Sequence, residues 1–328
     1  MEGEVFLTPT VAVCIVTYDS APDLPGCLEA IGRLDHRPLE IVLVDNASRD
    51  GSLEIARRHA PADIPFEAVA SPENLGFAAG MNAAIARTRA PFVLTLNADA
   101  RPSPDYVTLL LARADQPAMK VGAVTGRLVR PSGELDACGM RLTSSWRHLD
   151  RGSGERGREQ FPRPERVFGA TGAASLFRRE ALDDAAVEGE IFDPRFHSFR
   201  EDAELCFRLR ERGWEVLYEP TAFCEHRRFN LPERRSGMPA EVNRHSLKNR
   251  YLLRLYHQTA GNLVRTLVPT LARDLGALAY VLLRERSSLS AYSWLWRNRR
   301  DLLRRRRIIQ GRKTVNVERW FRVDGIPI

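Results

Sequence analysis

Four places in the chain carry side chains whose chemistry stands out from their surroundings. In the first, the apolar run Phe92-Val93-Leu94-Thr95-Leu96 ends abruptly in Asn97-Ala98-Asp99. A carboxylate at the end of a buried strand sits where open α/β sheets place ligands, and it can hold a divalent metal against a phosphate-bearing group. Taken alone, Asp99 reads as a turn or helix-cap residue before Pro102; its weight comes from what flanks it. The second place is Asp45-Asn46, after Leu39-Glu40-Ile41-Val42-Leu43-Val44. A carboxylate there commonly takes the hydroxyls or imide of a nucleotide, and it can also cap a helix starting near Ser48. The third is Glu201-Asp202, at the start of a helical pattern in which Leu205, Cys206 and Leu209 form an apolar face. Acids also belong in first turns, where the helix dipole favours them. The fourth is His226, beyond the strand-like run Trp214-Glu215-Val216-Leu217-Tyr218. A lone histidine is more often structural than a ligand.

The elements that must position these groups alternate. Val11-Ala12-Val13-Cys14-Ile15-Val16-Thr17 is a continuous apolar run, predicted to be a central strand. Leu24, Cys27, Leu28 and Ile31 follow at i, i+3, i+4 and i+7, which predicts an amphipathic helix. A second strand ends at Asp45, and a helix runs from the turn Ser48-Arg49-Asp50-Gly51-Ser52 to about His59. Phe66 to Ala70 is a short third strand. Phe77, Met81, Ala84, Ile85 and Thr88 form the stripe of another helix before the strand that ends at Asp99. Strand–helix alternation with short connections predicts a doubly wound α/β domain. Right-handed crossovers bring Thr17/Tyr18, Asp45/Asn46, Asn74 and Asn97/Asp99 to one rim. There is no G-x-G-x-x-G after the first strand and no G-x-x-x-x-G-K-[ST] anywhere, which argues against a dinucleotide dehydrogenase and excludes a P-loop NTPase. Gly76 and Gly80 either allow a ligand close to the backbone or permit tight helix–sheet packing.

Val13 to Tyr18, Ile41 to Ser52, Asn74-Leu75-Gly76-Phe77-Ala78-Ala79-Gly80-Met81-Asn82 and Leu96-Asn97-Ala98-Asp99 together resemble, in order and spacing, the motifs of glycosyltransferase family 2. The resemblance covers about residues 11 to 230. It implies a GT-A fold, a Rossmann-like, doubly wound, mostly parallel sheet, and a nucleotide-sugar donor. By that resemblance Thr17, Tyr18, Asp45, Asn74, Gly76, Asn82 and Asn97 line the donor site. Asn97-Ala98-Asp99 stands in the place of the family's D-x-D, with asparagine replacing the first acid. Asp99 and His226 are the implied ligands of Mg²⁺ or Mn²⁺, Asp202 the base that deprotonates the acceptor hydroxyl, and Glu201 the neighbour that orients it. The implied reaction is inverting transfer to a hydroxyl of a cell-envelope or lipid-linked glycan, with dTDP-rhamnose as the nearest donor. Two rivals stand beside it: a nucleotidyltransferase, for which the loop Thr17 to Ser20 lacks a basic residue, and a non-catalytic nucleotide-sugar-binding protein, suggested by Asn97.

The remainder predicts a strand over Val121 to Val129, a mobile basic loop from Arg147 to Glu165, and a small-residue strand or turn over Gly169 to Arg179. The expected division is a catalytic domain over 1–240 and a helical, Arg-rich extension over 241–328, with Arg234 to Pro239 as a lid or linker. Net charge is +7, and it is concentrated: Arg297, Arg299, Arg300, Arg304, Arg305, Arg306 and Arg307 face the single acid Asp301. An amphipathic helix over Leu263 to Val281 with that basic end either lies on an anionic membrane surface or packs on the core. Nucleic acid is not expected as a partner, since no aromatic-interleaved platform accompanies the arginines. No apolar run is expected to reach the ~20 residues that span a bilayer. Met1 to Val5 lacks the basic and apolar regions of a signal peptide. Five cysteines without C-x-x-C spacing read as reduced thiols, and the expected location is cytoplasmic, extending to the inner face of the cell membrane.

Overall fold

Val11–Thr17 (β1) is buried along its length because it has a parallel strand on each side: Leu39–Asp45 (β2) and Phe92–Asn97 (β4). Its side chains alternate between two cores, Val11, Val13 and Ile15 on one face and Ala12 and Cys14 on the other. This two-sided burial is why the sequence shows a continuous apolar run. Phe66–Ala70 (β3) closes one edge beside β2. The computed structural model describes residues 8–157, 160–228, 239–323 and 326–327. Met1 to Val5, Asn230 and the 234–238 part of the expected lid lie outside the described residues.

Helices Leu24–Gly32 (α1), Ser52–His59 (α2) and Gly76–Ile85 (α3) connect these strands as the spacing predicts. The α2 cap differs: Gly51 in the left-handed region precedes the helix, and Asp45 instead accepts from the Ser48 amide. Thr88 lies past the end of α3, and its hydroxyl accepts from the Ala90 amide. After β4 come Ala100–Pro102 (β5), Tyr106–Ala114 (α4), Val121–Val129 (β6), Leu135–Ala137 (β7), Met140–Thr143 (β8), His148–Asp150 (β9), Glu165–Arg166 (β10) and Ala174–Arg178 (β11). Arg179–Ala185 (α5), Glu201–Glu211 (α6) and Glu215–His226 (β12) follow. The large sheet has the order β10-β12-β6-β11-β4-β1-β2-β3, with β5 on β12 and β7 on β6. It is mostly parallel; β11 runs antiparallel between β4 and β6.

Two expectations change here. The stretch 147–165 is not one loop: β9 lies within it and pairs with β8, and β10 begins at its last residue. Its Gly, Pro and Arg content hides strands only two or three residues long. His226 does not follow a short strand but ends β12, whose register shift between Tyr218 and Phe223 breaks the apolar pattern.

Beyond residue 239 stand Ala240–His257 (α7), Ala260–Arg284 (α8), Ser290–Gly311 (α9), Phe321–Val323 (β13) and Ile326–Pro327 (β14). The extension is therefore not purely helical. It is also not a separate body: Leu252, Leu253 and Tyr256 of α7, Leu302 and Ile309 of α9, and Phe321 of β13 share one core with Ala12 and Cys14 of β1. β13 pairs in parallel with β8 in a second sheet, ordered β14-β13-β8-β9. The Arg run divides. Arg305 is fully buried on Glu190 and Asp193, and Arg306 donates to backbone carbonyls, whereas Arg297, Arg299, Arg300, Arg304 and Arg307 are exposed. By length and composition α8 is apolar enough to cross a membrane, contrary to the expectation from sequence. All five cysteines are buried and unpaired.

Candidate active site

The register sets the rim. Thr17 pairs with Asp45 and Val16 with Asn97, so the ends of β1, β2 and β4 are level. β11 runs the opposite way, with Ala174 opposite Leu96, so the turn before it reaches the same end. There the Asn97 amide donates to the Ala173 carbonyl at 2.8 Å.

At the β1–β2 end, Thr17 Oγ1, Asp45 Oδ1 and Asn46 Oδ1 are buried without a hydrogen-bond partner among the described residues. Buried polar atoms of this kind cost free energy until something satisfies them, so three neighbouring ones describe a ligand-shaped need. The sequence places Asn46 on the rim beside Asp45 but gives it no role of its own. Its amide also donates to Gly76 O at 3.0 Å, tying β2 to the start of α3. Tyr18, the next residue after Thr17, is half exposed.

Other residues expected at the donor site have structural partners. Asn74 is exposed, and its side-chain oxygen accepts from the Gly76 amide at 2.9 Å, forming the turn into α3. Gly76 has φ +78°, and a Cβ there would meet the His197 ring and carbonyl at 2.6 Å, so glycine is required for packing. Gly80 lies over Val16 and Asn46, the tight helix–sheet contact that was the alternative to ligand approach. Asn82 spends both ends of its amide on the Phe192 backbone, at 2.7 and 2.8 Å. Its position clasps α3 to the loop before α6 rather than facing the rim.

At the β4 end, β12 delivers His226 to Asp99. His226 Nε2 lies 3.3 Å from Asp99 Oδ1 and 3.3 Å from the Asn97 amide nitrogen. Its other nitrogen, Nδ1, is 2.7 Å from Asp136 Oδ2 on β7. Arg130 and Arg228 both donate to Asp136 Oδ1 at 3.1 Å, and Arg228 also reaches Asp150 Oδ2 on β9 at 2.7 Å. Burial works against a charged Asp136, but His226 and the arginines prevail and hold its carboxyl down at about 2. Burial likewise opposes charge on His226, and its bonds to Asp136 and Asp99 outweigh it, raising the imidazole to about 9. The donor set of one carboxylate, one imidazole once the cation displaces its Nε2 proton, and one amide oxygen, after rotating the Asn97 amide, suits a hard or borderline divalent cation. Among the described residues no three His, Cys, Asp or Glu side chains form a complete metal cage. An incomplete set leaves positions for phosphate oxygens, as Mg²⁺ sites commonly do. Asp136 fixes the imidazole so that Nε2 faces Asp99. Asp136→Asn is therefore expected to weaken Mn²⁺ binding about 10–100-fold; a titration of free Mn²⁺ by EPR checks it.

Asp202 approaches the same rim from α6. Its Oδ2 accepts from the Gly172 amide at 3.1 Å, one residue from the Ala173 carbonyl that holds Asn97, and its Oδ1 accepts from its neighbour Ala203 at 2.7 Å. Burial raises Asp202 to about 6, the Gly172 bond lowers it, and the Asp150 charge raises it again. Glu201 is more deeply buried, Oε2 has no partner among the described residues, and burial plus Asp202 pushes it well above the usual carboxylate range. The arrangement gives one carboxylate able to accept a proton near neutrality beside a second whose charged form is disfavoured by burial and by its neighbour.

The loop entering α6 is strained, with left-handed backbone at His197, Phe199 and Arg200. Asn249 of α7 holds it: the buried amide nitrogen lies 2.8, 2.9 and 2.7 Å from the carbonyl oxygens of Phe196, Ser198 and Phe199. Sequence offered no signal for this residue, since an asparagine inside a helix shows no pattern. Asn249→Asp removes these donors and is expected to lower kcat by on the order of 10²-fold through misplacement of Asp202, with the donor KM little changed; steady-state kinetics read the split.

Comparison with known proteins gives the family and the fold. Residues 12–185 match the family model described as glycosyl transferase family 2. The chain is 39% identical over 119 residues to an undecaprenyl-phosphate 4-deoxy-4-formamido-L-arabinose transferase of Pseudomonas syringae pv. syringae (strain B728a), a match covering 35% of this chain and 35% of the relative. It therefore spans about a third of that relative's length. It is 27% identical over 246 residues to an N-acetylglucosaminyl-diphospho-decaprenol L-rhamnosyltransferase of Mycobacterium tuberculosis (strain CDC 1551 / Oshkosh), covering 67% of this chain and 76% of the relative. Among solved structures, the mannosyltransferase PcManGT of Pyrobaculum calidifontis, in complex with GDP-Man and Mn²⁺, superposes with a TM-score of 0.53 at 20% identity, over 88% of this chain and 76% of that one. TarS of S. aureus with UDP-GlcNAc superposes at 0.57 and 15% identity, over 86% and 79%. These structural likenesses share the GT-A fold. The alternating sheet, the rim and the matched residues make this chain a member of glycosyl transferase family 2.

Proposed function

We propose that the chain is an inverting glycosyltransferase that moves a sugar from a nucleoside-diphosphate donor to a hydroxyl of a lipid-linked glycan. The observation that carries this reading is the meeting of the Asp99–His226 pair and Asp202 on one rim, joined through Asn97, Ala173 and Gly172. Thr17, Asp45 and Asn46 bind the nucleoside with their unpaired polar atoms. Asp99, His226 and Asn97 would hold a divalent cation, Mg²⁺ or Mn²⁺, which would supply positive charge to the departing diphosphate. Asp202 removes the acceptor hydroxyl proton, and that oxygen attacks the anomeric carbon from the side opposite the diphosphate. Inversion follows from the single displacement. Glu201, beside it, orients the acceptor.

The names of the two relatives support a polyprenyl-linked acceptor, and the rhamnosyltransferase makes dTDP-rhamnose the first donor to test. The exposed face of α8, with Val264 and Val268 77–79% accessible, and the exposed arginines of α9 suit a position on an anionic membrane surface. Thermal shift with a panel of nucleotide sugars, with and without Mn²⁺, tests the donor site, because a ligand of the folded form raises its stability. Stabilisation by no nucleotide sugar under either condition would refute the proposal. NMR of the product anomer tests inversion.

A further inference from the structure

Asp23 stands at the N-cap of α1, where an aspartate ordinarily accepts from the amides of the helix's first turn, yet its side chain makes no such bond. The carboxylate is buried, and Oδ1 instead accepts from Arg227 Nη1 at 2.7 Å, a partner 204 residues along the chain. Arg227 directly follows His226. Its backbone amide donates to the Asp99 carbonyl at 3.2 Å, so Asp99 and His226, 3.3 Å apart at their side chains, share one bonded corner with it. The first turn of α1 touches this corner again, where Cys27 Sγ reaches Asn97 O at 3.6 Å. From Asp23 the bonds also run the other way. The Asp23 and Leu24 amides donate to Ser20 O at 3.0 and 3.2 Å. The Asp19 and Ser20 amides donate to Ser48 Oγ and Ser52 Oγ at 3.0 and 2.9 Å. The Ser48 amide donates to Asp45 Oδ2 at 3.2 Å, and Asp45 Oδ1 is one of the unpaired atoms at the nucleoside end. A continuous path of bonds therefore joins the cation end of the rim to the nucleoside end. The Arg227–Asp23 pair carries that path from β12 to α1 with a charge-assisted bond, the kind that holds a geometry best.

We propose that Asp23 and Arg227 are positioning residues that set the separation between the nucleoside end and the cation end of the donor site, and so fit it to a nucleoside diphosphate. This rests on the donor reading given above and deepens it. Nucleoside and cation-bound phosphate are two anchors of one ligand. The second anchor adds affinity only when the spacing of the sites matches the tether between them. In a nucleoside diphosphate that tether is two phosphates long. A pair that sets the spacing leaves each anchor's own affinity alone and acts on their combination.

The test uses the full chain and three separate readouts. Calorimetry with Mn²⁺ measures thymidine, uridine and guanosine diphosphates; ligand-observed NMR without metal measures the matching nucleosides; EPR measures Mn²⁺ alone. Asp23→Asn and Arg227→Gln are each expected to weaken binding of the best diphosphate about tenfold, the loss of one charge-assisted contact. Nucleoside and Mn²⁺ affinities are expected to stay unchanged. Arg227→Lys keeps a cation opposite Asp23 and is expected to retain most of the diphosphate affinity. The Arg227 side chain is 45% exposed, so Arg227→Gln keeps the fold even if Asp23→Asn disturbs the start of α1. Undiminished or tighter diphosphate binding in Asp23→Asn would overturn the assignment, because it would make Arg227 a direct phosphate ligand that Asp23 merely restrains. Equal losses for nucleoside, Mn²⁺ and diphosphate would overturn it too, since they describe a site loosened throughout. If no diphosphate binds the unsubstituted chain, the donor reading fails and this inference with it; if one binds and both variants match it, this inference alone fails.

Discussion

Asp202→Asn is expected to reduce sugar transfer by about 10²–10⁴-fold, the usual contribution of a positioned base, while metal-dependent donor binding persists. Asparagine is close to the same shape and keeps one of the two backbone bonds, from Gly172 or from Ala203, through its single oxygen, but it cannot take a proton. The pH profile gives a second readout. Because burial raises Asp202 to about 6, the carboxyl is protonated and unable to accept a proton below that value. Wild-type kcat/KM should therefore rise with pH through about 6 and level off above it. The residual activity of the variant should lack that limb. Unchanged turnover in Asp202→Asn would remove this residue from the mechanism. Glu201 is less suited to the role, since deep burial beside Asp202 disfavours its charged form.

The largest expected effect on stability comes from Arg208→Ala. Arg208 and Glu204 are both buried on α6, with two hydrogen bonds of 2.8 and 2.6 Å between them, and Arg208 also donates to the carbonyls of Ala185 and Ile191. His257 at the end of α7 stands 3.5 Å from Glu204, donates from Nδ1 to Glu211 at 2.9 Å, and stacks on Phe207 at 4.6 Å. Removing Arg208 leaves Glu204 charged in the core with His257 as its remaining cationic neighbour, a loss of about 3–5 kcal/mol. Urea unfolding with an unchanged m-value would measure it. Burial opposes the Glu204 charge, but Arg208 and His257 bring the carboxyl from 4.5 down to about 2. A depressed carboxylate stabilises the fold fully above its unfolded value, so this contribution should hold above pH 4.5 and disappear as pH falls towards 2. In Arg208→Ala that acid-side loss should shrink.

The strands that carry the rim were readable because they are buried on both faces and read as unbroken apolar runs, as in Val11–Thr17 and Leu39–Asp45. The ends of those runs pointed to Thr17, Asp45 and Asp99 without reference to tertiary structure. The pairing of Asp99 with His226 came from the family resemblance, and β12 brings the two within 3.3 Å. What surrounds them was not readable. Asp136 lies on a three-residue strand, too short to leave a period in the sequence, and its importance rests on contacts with residues far along the chain. Asp150 lay inside a stretch whose composition signals a loop. Asn82 fits the family motif in sequence yet faces Phe192, because a motif fixes a residue type and not the direction of its side chain. The arginines of α9 looked like one basic surface; helical periodicity turned Arg305 inward to Glu190 and Asp193.

The pairing of β8 with β13 has a consequence for how the molecule is made. β8 emerges from the ribosome well before its partner, with α7, α8 and α9 still to be synthesised. At roughly 5–20 residues per second the wait is on the order of 10 s or more. Throughout that interval one margin of the smaller sheet stays open to stray pairing with other chains, the hazard common to unshielded strands. Nascent chains stalled before Phe321 should consequently be held by chaperones or lost to aggregation, although every residue of the catalytic rim has already been translated.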